Sequence, residues 1–475
     1  MKAKTILPAL ALALGTLAGV AHADEFTVGH TGANLAWVAP YNTTGSGITV
    51  AVVDSGIAPL KDLNTTTTST TSRVIASYNV VTGKMADDCG HGTHIAGIVG
   101  GNGAGSSLSG CTRTFYGIAP KANLVNVRVL DKNGSGTVSN VISGIQWCIT
   151  NKVRYNIRVI NLSVGHPAGE SYTTDPLCLA AEAAWQAGIV VVCAAGNTGR
   201  LSATNVPGAA NEGWGTNYGS ITSPGNDPYV ITVGAMKNFD GNRAHDRIAT
   251  YTGRGPSRLD FIMKPDIVAP GNRVISTDAN NSTLDNVNGQ ANDVLWPAYS
   301  TKAISGFGDP TYFLLSGTSM AAPVVAGAAA LMLQANPALT PDSVKARLMI
   351  SADKWANPDG SMDSCTYGAG YLNIPAALSC TAVATKPATS PRLYRDAAGN
   401  VLVNQSQILW GTQVIWGVNG VNNLQVIWGN QVIWGTQVLW GSQVIWGTAV
   451  WADQVIWGTG SSNVDLTSTA INGEN

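Results

Sequence analysis

The sequence predicts an α/β fold built on a mostly parallel sheet with helices on both faces, followed by a small all-β repeat module. Three observations carry this. Short β-branched runs alternate with longer Ala-rich or amphipathic stretches from Ile48 to about Ser379. The runs are apolar at nearly every position, as strands covered on both faces must be. Beyond residue 400 a six-residue unit built on Trp-Gly takes over, and no Asp, Glu, Lys or Arg occurs between Ala397 and Ala452.

The chain opens with Met1-Lys2-Ala3-Lys4, an apolar stretch from Ile6 to Val20, and the small-residue tripeptide Ala21-His22-Ala23. This reads as a secretory signal peptide over residues 1–23, so the mature chain is expected to start at Asp24, in an oxidising compartment. No later stretch reads as long and apolar enough to span a bilayer. The strand candidates are "ITVAVV" from Ile48 to Val53, "NLVNVRVL" ending at Leu130, "IRVINLSVG", "GIVVVCAAG" and "YVITVGA". Between them lie helix candidates at about His91–Gly100, Val138–Asn151, Leu177–Ala187 and Ser319–Ala335. The alternation gives one large domain over 24–380. Residues 381–400, rich in Ala, Thr and Pro without a periodic apolar face, read as a linker. The repeat module spans 401–459, and 460–475 reads as a flexible tail. A net charge of −1 with 12% charged residues offers no basic face for nucleic acid and no polybasic patch for anionic lipid.

A serine hydroxyl is a weak nucleophile near neutral pH. A hydrolase that uses one needs an imidazole to take its proton, a carboxylate to orient the imidazole, and donors for the developing oxyanion. Four segments supply these groups. "VAVVDSG" puts Asp54 at the C-terminal end of the first strand, where α/β sheets carry functional groups. "GHGTHIAG" puts His91 where a glycine-flanked loop enters a helix, "SGTSMAAP" puts Ser319 in the same context, and "VVVCAAGN" ends a strand at Asn197. Taken singly, Asp54 and Asn197 read equally as turn residues and Ser319 as a helix N-cap. For Ser319 both readings hold together, because a helix start aims N–H groups at the place where negative charge develops. His91 and His94 are three apart but lack a third zinc ligand nearby, and no GxSxG elbow surrounds Ser319.

Together, in the order Asp, His, Ser, these segments resemble the signatures of the subtilisin family over roughly residues 30 to 380. The resemblance implies a serine endopeptidase that needs no catalytic cofactor. It assigns Asp54 to orient the imidazole, His91 to act as general base and then acid, Ser319 to attack the carbonyl, and Asn197 to donate to the oxyanion. It points to His91 rather than His94, which is left a structural role. The alternative is an inactive relative that serves as a surface-binding or structural protein through its repeats.

By the same resemblance, Gly134, Ser135 and Gly136 form one backbone edge and Ser163, Val164 and Gly165 another, with an extended peptide adding as a strand between them. Ordinary turns account for these glycines as well. Main-chain pairing is indifferent to side chains, so protein and peptide substrates of broad sequence are expected. The wall of the first specificity pocket, Ala194-Ala195-Gly196, is small and uncharged and should tolerate large apolar residues. Structural calcium is common in the family and Asp62 resembles one ligand position; the other ligands are unknown. Two features depart from the family: segments around "NEGWGTNYG" and between Asn272 and Phe313 read as insertions, and Asp54 follows the predicted cleavage site too closely for an N-terminal folding propeptide.

Seven cysteines in an exported chain predict three bridges and one free thiol. Proximity in sequence pairs Cys89 with Cys111 and Cys365 with Cys380. Consecutive helices pair Cys148 with Cys178, and Cys193 stays free inside a strand. In the repeats, with Trp410, Trp416, Trp428, Trp434, Trp440, Trp446 and Trp457, alternation puts Val and Trp of Gln-Val-Ile-Trp on one face. The Gly-x pairs suit two-residue turns, giving a meander; a hexapeptide solenoid fits the same period. The tryptophans either fill a small core or line a surface that retains the secreted enzyme on a cell envelope or polymer.

Overall fold

Thr49–Asp54 (β1), with every side chain buried, runs through the middle of an eight-stranded sheet. The remaining strands are Val74–Asn79 (β2), Asn123–Arg128 (β3), Ile157–Leu162 (β4), Val190–Ala194 (β5), Ile231–Lys237 (β6), Arg247–Ile248 (β7) and Ile267–Pro270 (β8). Their order is β7-β6-β5-β4-β1-β3-β2, with β8 beside β6. All neighbours are parallel except β7, which runs antiparallel to β6. The structure is a computed structural model that describes residues 22–395 except 24, 84, 202–212, 214, 303–311, 359 and 362, together with 397, 401–403 and Glu474.

Four helices cover the sheet in two pairs. His91–Gly100 (α1) packs on Thr318–Ala335 (α5), and Val138–Tyr155 (α2) packs on Pro176–Gln186 (α3). Local chemistry starts the outer pair: the Thr137 hydroxyl caps α2, while Asp175 caps α3 ahead of Pro176 at its first position. Helix α5 is long and apolar enough to cross a membrane, at mean hydropathy 1.4, which corrects the reading that no such stretch exists. It is instead apolar all round because it is a core helix, 89% buried in protein. Its small residues allow close approach; a Cβ on Gly327 would lie 2.6 Å from Cβ of Ile118.

The segment read as an insertion has its own order. Val274–Thr277 (β9), Asp293–Val294 (β10) and Tyr312–Leu315 (β11) form an antiparallel sheet in the order β9-β11-β10, with Thr283–Asn292 (α4) between the first two strands. Residues 381–395 lie against the domain. Ala388 N–H donates to Asp342, the Ser390 hydroxyl accepts from Lys345 and donates to Asp266, and Leu393 is 1% exposed in the main core. The chain then forms an antiparallel pair, Leu393–Arg395 (β12) with Val401–Val403 (β13). Residues 1–21 of the expected signal peptide lie outside the described residues, as do 404–459 of the repeat module and the tail apart from Glu474.

The expected bridges Cys89–Cys111, Cys148–Cys178 and Cys365–Cys380 do not form, because all seven cysteines are free thiols. Neighbouring in sequence did not bring the sulfurs face to face. Cys178 Sγ lies 3.2 Å from Oδ1 of Asn226 and 3.6 Å from the Ser223 hydroxyl, while Cys148 is turned into the main core. Cys193 is a buried free thiol on β5.

Candidate active site

Asp54 is the last residue of β1 and His91 the first of α1, so the sheet edge and the helix start meet at one point. Nδ1 of His91 lies 2.7 Å from Oδ1 of Asp54, with the two side chains 4% and 0% exposed. The partner is a carboxylate, so Nδ1 carries the proton and Nε2 is left as the acceptor. The Ser55 N–H fixes the same Oδ1 at 2.7 Å, whereas Oδ2 of Asp54 has no hydrogen-bond partner among the described residues.

A second buried carboxylate holds the helix start in place. Asp87 Oδ1 accepts from the Ser55 hydroxyl and the N–H groups of Cys89 and Gly90, and Oδ2 accepts from the N–H and hydroxyl of Thr93. Such an anion at the first turn satisfies orphan donors and suits the helix dipole. Burial nonetheless pushes its pKa up. Ser55, in turn, accepts from the Gly92 N–H at 2.9 Å, which ties α1 to the strand that carries Asp54. Gly92 admits no side chain, since a Cβ would lie 2.2 Å from the Gly56 carbonyl. His94 faces away: its Nε2 donates to the carbonyls of Val274 and Phe313, at 3.1 and 3.0 Å. Burial, with His91 beside it, pulls the His94 pKa down to about 3, so this ring stays neutral.

Ser319 stands in the first turn of α5, 5% exposed. Its hydroxyl donates to the Ser163 carbonyl at 3.3 Å, and the Ser163 hydroxyl donates back to the Ser319 carbonyl at 2.7 Å. Asn197, just beyond β5, has its orientation set by Thr318. Oδ1 accepts from the Thr318 N–H at 2.9 Å and the Thr318 hydroxyl at 3.0 Å. Two donors on one oxygen fix the amide's sense and leave Nδ2 as its donor end. The Thr318 hydroxyl also accepts from the Gly196 N–H. Thr318, Ser55 and Asp87 were missed by sequence reasoning; Thr318 lies inside the "SGTS" signature that placed Ser319.

At the first of the expected substrate edges, the Gly134 N–H donates to the Asp131 carbonyl at 3.1 Å. Ser135 spends both main-chain groups within its loop, its N–H on Oδ1 of Asp131 and its carbonyl on the Asp131 N–H. Gly134 and Gly136 flank it in the loop between β3 and α2. Val164 is buried, Gly165 precedes the short pair of His166–Pro167 with Thr222–Ser223, and Ser163 is engaged by Ser319. Ala194 and Ala195 are buried and Gly196 adopts φ +99 against Thr222, so this wall presents no polar side chain.

Asp62 does not fit a calcium ligand. Both its carboxylate oxygens accept from the Gly105 N–H and the Tyr312 hydroxyl, all at 3.0 Å, which turns donors toward the place a cation would occupy. Burial lifts its pKa to about 6, although the nearby Arg73 favours the charged form. Elsewhere, Asp278, Asp285 and Asp293 bring carboxylate oxygens within 4.8 Å of one another, and burial with mutual repulsion lifts Asp278 to about 8.

Residues 45–370 match the family model described as the subtilase family. Serine protease AprX of Bacillus subtilis is 41% identical over 342 residues, which cover 70% of this chain and 66% of that relative. Subtilisin DY of Bacillus licheniformis is 32% identical over 335 residues, 70% of this chain and 91% of the relative. Subtilisin E of Bacillus subtilis is 34% identical over 336 residues, again 70% of this chain and 66% of the relative. A parallel sheet that carries an aspartate at a strand end, a histidine and a serine at two helix starts, and this matched span lead to one conclusion: the chain belongs to the subtilase family, whose members are serine endopeptidases of the subtilisin type.

Proposed function

We propose that this chain hydrolyses peptide bonds through an acyl-enzyme formed on Ser319. The observation that carries the reading is the buried 2.7 Å contact between His91 Nδ1 and Asp54, which leaves Nε2 as the base. Rotation of the Ser319 hydroxyl away from the Ser163 carbonyl brings Oγ to Nε2. Oγ then attacks the scissile carbonyl while Nε2 takes its proton, and the imidazolium is stabilised by Asp54. The tetrahedral oxygen is held by Nδ2 of Asn197 and the Ser319 N–H, which has no acceptor among the described residues. His91 next protonates the departing amine. Water attacks the acyl-enzyme by the same route in reverse, releasing the acid and restoring Ser319.

An extended substrate pairs with Gly134 and Gly136 on one side and with Gly165 on the other, and its first side chain lies along Ala194-Ala195-Gly196. Both features favour broad specificity with tolerance of large apolar residues. The leader over 1–23 directs secretion, and the Trp-Gly repeats retain the enzyme at a surface or polymer. Ser319→Ala should abolish peptidase activity, and a sulfonyl fluoride should label Ser319 alone; an active Ser319→Ala protein overturns the reading. Substituting Trp428, Trp434 and Trp440 by Ala should release the enzyme from its surface without changing hydrolysis of a short soluble peptide. Unchanged retention refutes the role of the repeats.

A further inference from the structure

Glu474 is 1% exposed, although its partners precede it by more than 200 positions. Its Oε1 accepts from Nη1 of Arg200 at 3.1 Å and from the Thr250 hydroxyl. Oε2 accepts from the Thr250 N–H at 2.9 Å and lies 3.7 Å from Nζ of Lys237. The main chain of Glu474 is held as well. Its N–H donates to Oδ1 of Asn272 and its carbonyl accepts from Nδ2 of Asn272, both at 2.7 Å, as one peptide unit pairs with another in a ladder.

The groups that make these contacts belong to the domain and are themselves buried: Arg200 is 8% exposed, Lys237 2% and Asn272 2%. Cations enclosed in this way are costly unless an anion meets them, and a charge-assisted carboxylate pair is the strong form of that contact. The position is also a consequential one. Lys237 ends β6, and Arg200 lies three residues beyond Asn197. Asn272 follows Gly271, whose carbonyl accepts the N–H of Gly317 at 2.8 Å, two residues before Ser319. The Tyr251 hydroxyl donates to that same carbonyl.

We propose that Arg200, Lys237, Thr250 and Asn272 form a binding site for a glutamate within an extended chain segment, and that Glu474 of the same molecule occupies it, returning the chain to the peptidase domain after the repeats. The two buried cations select a carboxylate. Asn272 selects a residue whose main-chain N–H and carbonyl both face it. Glu474 is thereby held behind the loop that leads to Ser319, through Asn272.

The test is hydrogen exchange on the full chain carrying Ser319→Ala, which suppresses self-digestion, read by mass spectrometry on the peptide that contains Glu474. The Glu474 amide should exchange at least about tenfold more slowly than in the free synthetic peptide. Glu474→Gln and, independently, Asn272→Ala should each bring it to the free rate. Glu474→Gln alters only the docked segment, so folding of the domain is not at stake in that variant. Exchange at the free rate in the parent chain overturns the proposal, and protection that survives Glu474→Gln overturns the carboxylate as the recognised group. Protection lost on tenfold dilution overturns docking within one molecule, because an intramolecular contact does not depend on concentration.

Discussion

Pro323 stands four residues after Ser319 inside α5 and has no N–H to give to the Ser319 carbonyl, so that carbonyl is left for the hydroxyl of Ser163, which takes it at 2.7 Å. The proline therefore couples the start of the helix that bears Ser319 to the segment just beyond β4. Ser163→Ala should leave the carbonyl unmet, cost about 1 kcal/mol of stability and lower kcat. Adding Pro323→Ala should recover part of that loss, since alanine supplies the missing N–H. Thermal melts and initial rates on the two single variants and the double variant check this; independent, additive effects would refute the coupling.

Asn197→Ala should lower kcat by about 10²–10³ with little change in KM, the magnitude known for the corresponding donor in subtilisin itself. Thr318→Val keeps the N–H that fixes Oδ1 but removes the hydroxyl that shares it, so its loss should be smaller, about tenfold. Steady-state kinetics on a chromogenic peptide distinguish the two, and equal losses would argue that Asn197 acts through structure alone.

His94 binds a proton near pH 6.5 when unfolded and only near pH 3 when folded. Its contribution to stability is present above pH 6.5 and is lost as pH falls through that window, at about 1.4 kcal/mol per pH unit and up to about 5 kcal/mol in all. His94→Gln, which still donates to the carbonyls of Val274 and Phe313, should flatten the decline of denaturant midpoint between pH 6.5 and 4. An unchanged slope would assign the acid sensitivity to other groups.

Asp62 runs the opposite way. Its pKa rises from 3.8 to about 6 on folding, so its contribution is present below pH 3.8, is lost between 3.8 and 6, and leaves a standing cost of about 3 kcal/mol above that. Asp62→Asn should remove this pH dependence while keeping one acceptor for Tyr312 and Gly105. The difference between the two proteins should not change when calcium is added or chelated. A calcium-dependent difference would restore Asp62 as a ligand.

Much of the fold was legible because the central strands are buried on both faces, and β1, β3, β4, β5 and β6 all appear as apolar runs within three residues of their observed ends. Strand β2 was not, since only part of its surface is covered and its apolar residues do not form a run. Sheet β9-β11-β10 hid in a segment read as an insertion, where four-residue strands are separated by a helix with little apolar character. Within the site, the residue types that do chemistry stood out, whereas their supports did not. Asp87 and Thr318 look like ordinary loop and cap residues until the chain is folded. The surroundings of Asp62 were illegible for the same reason, because its donors come from Gly105 and Tyr312. The bridges failed because spacing along the chain says nothing of where a sulfur points.

The attachment of Leu393 and Ser390 to the domain sets a point in time as well as a boundary in space. Ser390 meets Asp266 and Pro228, which precede it by 124 and 162 residues, and Leu393 N–H closes on the Phe261 carbonyl. A chain emerging from the ribosome can therefore assemble β1 to β6 early, but its core stays open until residue 393 has appeared. Long-range closure of this kind slows folding. A chain halted at residue 380 would expose an apolar seam where Leu393 belongs, and a quality-control protease could find it there.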